Sequence, residues 1–84
     1  MDPTLYRQYI RAVILLDAPY ACPDVALQDG VECLAGKGRF DVSVFRDAVE
    51  WNLSKDYIRS AVNPDTDKKE WRLTPLGKAK QDSE

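Results

Sequence analysis

The stretch from Tyr57 to Gly77, YIRSAVNPDTDKKEWRLTPLG, constrains this chain more than any other. From Ile58 to Val62 apolar and polar residues alternate, apart from the small Ala61, which is the period-two signature of a strand with one covered face. Asn63-Pro64-Asp65-Thr66-Asp67 is dense in turn formers and cannot be strand interior. Glu70-Trp71-Arg72-Leu73 alternates again, so Trp71 and Leu73 share one face of a second strand. Thr74-Pro75 then reads as a helix N-cap followed by proline at the first helical position, where its missing N–H costs nothing. Gly77 lets that helix start approach another backbone closely. A two-stranded hairpin is marginal alone. The residues before it must therefore build the body on which it lies.

Three helical patterns supply that body. Asp2-Pro3 opens the first, with Asp2 as N-cap; Leu5, Tyr6, Tyr9, Ile10, Val13, Ile14 and Leu16 follow, while Arg7, Gln8 and Arg11 fall mostly on the opposite side. This apolar arc is wider than three short helices need to bury. Tyr6, Tyr9 and Val13 are accordingly the candidates for a homodimer interface, next to the plainer role of an ordinary core helix. Asp17 to Pro23 is a loop bracketed by Pro19 and Pro23. The second helix spans about Asp24 to Ala35, with Leu27, Val31 and Leu34 as its seam. Gly30 inside it costs up to about 1 kcal/mol against alanine, and points to close helix packing or an early break. Gly36-Lys37-Gly38 turns the chain. The third helix starts at a cap formed by Asp41 or Ser43 and ends near Leu53 or Ser54. Val42, Phe45, Val49 and Leu53 form its core stripe, widened by Ala48 and Trp51; Ser43, Arg46, Asp47 and Glu50 form a fully polar one opposite.

The expected fold class is thus mainly α with a small antiparallel β-hairpin: three helices, two strands and a short C-terminal helix. Residues 1–84 form a single domain, with 81–84 frayed. At this length one core just suffices, and 44% hydrophobic residues with two Trp, four Tyr and two Phe are enough without metal or disulfide support. Cys22 and Cys33 stand on either side of a helix; eleven helical residues rise roughly 16 Å, whereas a disulfide needs Cα atoms within about 7 Å. A bridge between them is not expected, Cys33 is read as a core-edge residue, and the chain reads as cytoplasmic. No signal peptide and no membrane span is expected. Two cysteines without histidine do not make a zinc site.

The order helix, helix, helix, hairpin, short helix, with Leu73-Thr74-Pro75-Leu76-Gly77 closing the hairpin, resembles the winged helix-turn-helix proteins. Many regulators of that superfamily carry an LT..G signal where the second wing strand meets a last helix, here Leu73, Thr74 and Gly77. The run Val42 to Trp51 and on to Tyr57-Ile58 is similar to their recognition helix entering the first wing strand, and most of all to small phage- and prophage-type winged-helix proteins. Two positions depart from the pattern. Asp56 stands where the family usually has glycine, and Asn52 where it often has leucine.

The resemblance implies a DNA-binding protein, a small transcriptional regulator or phage accessory protein, whose third helix lies in the major groove. Ser43 and Arg46 would then read base edges, since arginine can chelate O6 and N7 of guanine. Lys68, Lys69 and Arg72 on the wing, and Lys37 and Arg39 before the third helix, would neutralise phosphates, with Lys78 and Lys80 adding to this. Against it stand Asp47 and Glu50, which share the stripe with Arg46 and would face a polyanion. The net charge of −2 also argues weakly against unspecific affinity for nucleic acid, although the basic groups gather after residue 36, where ten oppose nine acidic ones. The competing expectation is a winged helix that binds a protein partner and no DNA. An enzyme is not expected: without histidine, a phosphate-binding glycine loop or a convincing carboxylate pair nothing carries chemistry, and no cofactor is implied.

Overall fold

The computed structural model describes residues 3–36 and 38–83. In chain order these form α1 (Pro3–Asp17), β1 (Cys22–Pro23), α2 (Asp24–Ala35), α3 (Val42–Ser54), β2 (Ile58–Asn63), β3 (Lys68–Leu73) and α4 (Pro75–Asp82). Asp2, expected to cap α1, and Lys37 lie outside the described residues. The hairpin β2–β3 has the expected register, with Ile58 opposite Leu73 and Asn63 opposite Lys68. It is joined by a third strand where a loop was expected: Cys22 and Pro23 pair antiparallel with Trp71 and Glu70, so the sheet runs β1-β3-β2. A strand this short carries no periodicity of its own. It exists because β3 offers it a partner.

The three helices bury Tyr6, Ile10, Val13 and Ile14 of α1, Leu27 and Val31 of α2, and Phe45 and Ala48 of α3. Cys22, Ile58 and Trp71 close this core from the sheet side. Two expected core residues are outside it. Leu34 in the last turn of α2 and Val42 at the start of α3 are exposed, because both stand at helix ends where the neighbouring helices no longer cover them. Gly30 marks close packing rather than a break: a Cβ there would lie 2.7 Å from Cγ1 of Val13. Both cysteines are free; Cys33, read as a core-edge residue, is exposed, and Cys22 is buried. Burial, a hydrogen bond with Asp17 and the charges of Asp17 and Asp24 push the Cys22 thiol up to about 12.

Tyr6 and Val13, candidates for a subunit interface, lie inside the chain's own core. The Tyr6 hydroxyl accepts from the Asp41 N–H at 2.9 Å and donates to the Arg39 carbonyl at 3.3 Å, and its ring stacks on Phe40 with centroids 6.0 Å apart. It fixes the turn into α3. Val13 is held against Gly30.

The larger correction concerns Arg11, assigned to the polar side of α1 but only 1% exposed. Its Nη1 donates to Oδ1 of Asn52 at 2.8 Å and its Nε to Oε1 of Gln81 at 3.2 Å, which ties α1 to α3 and α4. Asn52 in turn donates from Nδ2 to the carbonyls of Ala48 at 2.9 Å and Arg7 at 3.3 Å. The guanidinium also lies over the Tyr57 ring at 5.4 Å. A buried charge is tolerated only where such partners replace water. Asn52 therefore departs from the leucine of the resembled pattern for a reason: leucine would take away the buried oxygen that accepts from Nη1 of Arg11. The bond to Gln81 lies in the last turns of α4, which runs to Asp82.

The junction of α3 with the hairpin is a Schellman turn. The Tyr57 N–H donates to the Asn52 carbonyl and the Asp56 N–H to the Leu53 carbonyl, each at 3.0 Å. This requires a left-handed residue, and Asp56 takes it with φ 59°. Asp41 caps the other end of α3, accepting from Ser43 and Val44. At the far end of the wing Thr74 caps α4 through the Gly77 N–H at 2.9 Å, while its own hydroxyl donates to the Asp56 carbonyl at 2.6 Å. A Cβ on Gly77 would run into the Tyr57 carbonyl. The backbone of α4 thus rests directly on the first residue before β2.

Two outcomes follow from this packing. Trp71→Ala removes a fully enclosed aromatic and should cost about 3–5 kcal/mol in urea unfolding; a variant that unfolds at the wild-type midpoint would detach the hairpin from the core. Asp56→Gly relieves a left-handed residue and should raise stability by roughly 1 kcal/mol, the exposed pair it forms with Arg59 contributing little.

Candidate nucleic-acid interface

α3 turns Phe45 and Ala48 inward and leaves Ser43, Arg46, Asp47 and Glu50 exposed along its outer face, as the helical period demands. The first turn of this helix is not an open anion site, because the Asp41 carboxylate already accepts from its N–H groups. Binding through α3 must rest on side chains.

Beside this face lies a groove of about 280 Å³ between α2, α3 and β3, lined by Asp24, Gln28, Phe45, Arg46, Val49, Glu50, Lys69 and Trp71. Trp71 belongs to its wall: its Nε1 donates to Oδ1 of Asp24 at 2.8 Å, and the Lys69 ammonium sits 4.6 Å from its ring centroid. The groove is electrically mixed, with Arg46 and Lys69 set against Asp24 and Glu50. Asp24 and Gln28 were not foreseen as site residues. Asp24 reads in the sequence as a helix start, and nothing local signals that its carboxylate faces the wing.

The wing cations separate according to the pairing of β3. Lys69, Trp71 and Leu73 share the face toward the helices, whereas Lys68, Glu70 and Arg72 point to the other. Lys69 therefore joins Arg46. Lys68 is nearby, lining a shallow surface depression with Pro23, Asp24, Val25 and Lys69. Arg72 does not join them: its Nη1 donates to the Pro19 carbonyl at 3.0 Å, and it borders a depression on the outer face with Arg59. By alternation Arg72 shares the outer face of β3 with Lys68, away from the α3 groove. Arg39 and Ser43 are exposed immediately before and within the start of α3. Lys78 and Lys80 stand on α4, which packs against α1 and β3. Among the described residues no helix is long and apolar enough to cross a membrane.

The sequence matches no protein-family model and no curated protein. The structure is similar to the crystal structure of a MarR-family transcriptional regulator from Silicibacter pomeroyi, with a TM-score of 0.63 and 22% identical residues, over 95% of this chain and 51% of that one. The chain has the winged helix-turn-helix fold, with β2–β3 as the wing. It spans about half the length of that regulator.

If the Lys69 ammonium is held over Trp71, Lys69→Met should change the Trp71 fluorescence in the folded protein, whereas Arg72→Met should leave it unchanged.

Proposed function

We propose that this chain is a DNA-binding winged-helix protein that acts as a small transcriptional regulator or phage accessory protein, a role that belongs in the cytoplasm. The observation that carries the reading is the convergence of Arg46 from the exposed face of α3 and Lys69 from the wing on one groove. α3 enters the major groove, where Arg46 and Ser43 read base edges. Lys68, Lys69 and Arg39 contact phosphates on either side, with Lys37 two residues before Arg39 in sequence and Arg72 following along the outer face of the wing. Asp47 and Glu50 make the helix itself close to neutral, so attraction comes from the flanking cations and discrimination from the helix. An acidic side chain on the reading face can accept from cytosine N4, and it penalises every site where it meets a phosphate instead.

A second reading is favoured by the same acids. Asp24 and Glu50 in the groove and Asp47 beside it suit a protein partner better than a polyanion. The salt dependence of duplex binding separates the two. With about three phosphate contacts per subunit, log K should fall against log salt with a slope of roughly −3 per subunit. Lys68→Ala with Lys69→Ala should weaken binding to all sequences alike and reduce that slope by about 2. Arg46→Ala should relax preference at one position. A duplex that fails to bind at low salt gives the protein-interaction reading precedence.

We also infer a homodimer through α1, with the contact moved around the helix from its expected place. Leu5, Tyr9, Ala12 and Leu16 recur at i, i+4, i+7 and i+11 and so share one face, on which Leu5 is 44% and Leu16 82% exposed. Sedimentation at micromolar concentration should give twice the 9.5 kDa mass, and Leu16→Glu should return the monomer. A wild-type monomer at hundreds of micromolar would refute it.

A further inference from the structure

β2 is an edge strand, paired among the described residues with β3 alone. Which of its backbone groups point outward follows from the pairing. The Thr74 N–H donates to the Tyr57 carbonyl at 3.0 Å, so Tyr57 and Thr74 form a hydrogen-bonded pair one step outside the ladder. In an antiparallel ladder such pairs alternate with pairs that exchange no hydrogen bond. Arg59, Ala61 and Asn63 therefore direct their N–H and C=O groups at β3, while Ser60 and Val62 direct theirs away from it. Ser60, Ala61 and Val62 are all exposed. They carry none of the lysines, prolines or bulges by which edge strands are usually blunted.

The side chains next to this edge define what suits it. On the outer face of the sheet Arg59 lies opposite Arg72, and Lys68 lies opposite Asn63. Glu70 is the acidic strand residue of that face among those described, and Asn63 Nδ2 donates to its Oε2 at 3.2 Å. Arg59 has an ion pair with Asp56, but both side chains remain largely in solvent. Between Arg59, Arg72 and Glu70 lies a depression of about 220 Å³, completed by Ala21, Ser60 and Ala61. Ala61 offers only a methyl group at its rim.

We propose that the β2 edge binds an extended acidic peptide segment of a partner protein by adding it to the sheet as a further strand. The partner backbone exchanges hydrogen bonds with Ser60 and Val62. A glutamate on the partner strand opposite Arg59 meets that guanidinium at the side of the depression, with Arg72 next in the same cross-strand row. An aliphatic residue on the other face lies beside Val62. A nucleic acid is the poorer fit, because phosphates only accept hydrogen bonds and would leave the Ser60 and Val62 carbonyls unmet. The site is independent of Arg46 and of the α3 groove.

The test is a titration of the ¹⁵N-labelled full chain with acetyl-Glu-Val-Glu-Val-Glu-Val-amide, followed by amide shifts. The Ser60 and Val62 amides should move most and gain protection from hydrogen exchange, while those of Arg59 and Ala61, bonded within the ladder, should move less. The lysine counterpart of the peptide should bind at least tenfold more weakly, as should the glutamate peptide to Arg59→Gln. N-methylation of alternate residues of the glutamate peptide, which requires no change to the protein, should abolish binding to the edge. Arg46→Ala should leave it intact. The proposal is overturned if the glutamate peptide moves neither amide, if the lysine or N-methylated peptide binds equally well, or if a short DNA duplex produces the same shifts at Ser60 and Val62.

Discussion

Trp71 is the side chain through which the wing and the helices hold each other. It stands on the central strand, opposite Cys22 on one side and Ser60 on the other, and is 2% exposed. Its indole N–H reaches the first residue of α2, and its ring carries the Lys69 ammonium. A buried aromatic of this size contributes about 3–5 kcal/mol, against a total stability of about 5–15 kcal/mol for an ordinary domain. The wing is therefore part of the core rather than an appendage. Any surface formed by α2, α3 and β3 inherits its geometry from this one contact.

Much of this architecture could be read from residues alone, because its strongest local signals agree with the tertiary structure. Asp41 caps α3, Thr74-Pro75 opens α4, and Gly77 admits the Tyr57 carbonyl, each as its residue type demands. What could not be read depends on long-range partners. Arg11 looks like a surface residue until Asn52 and Gln81, far along the chain, are seen to satisfy it. Cys22-Pro23 is a strand only by virtue of β3. Leu34 and Val42 obey the helical period but stand at helix ends. For the candidate interface the exposed face of α3 was legible, and so in principle was the separation of Arg72 from Lys69, since it follows from period two. The place of Asp24 was not, because a helix-starting aspartate ordinarily serves its own helix.

The polar hub of Arg11, Asn52 and Gln81 does something the apolar core cannot. Apolar contacts tolerate a helix turned by some tens of degrees, whereas a guanidinium bonded in two directions does not. Its cost in desolvation is offset by the bonds to Asn52 and Gln81, and these same bonds tie α1 to α3 and α4 at a defined angle. That angle orients the polar face of α3 relative to the exposed stripe of α1. If both surfaces are engaged at once, the spacing between two copies of α3 is set deep inside each chain.

The contrast between the two cysteines makes the chain report on its own breathing. Cys33 is open to solvent and meets an alkylating reagent at once. Cys22, buried and with its thiol pushed up to about 12, offers almost no thiolate at neutral pH while β1 remains against β3. Its alkylation must await an excursion that frees the short strand. When closing is faster than alkylation, the ratio of its labelling rate to that of an unstructured thiol gives the free energy of that local opening. Two thiols in one small chain thus yield an internal reference and a clock for the junction where wing and helices meet.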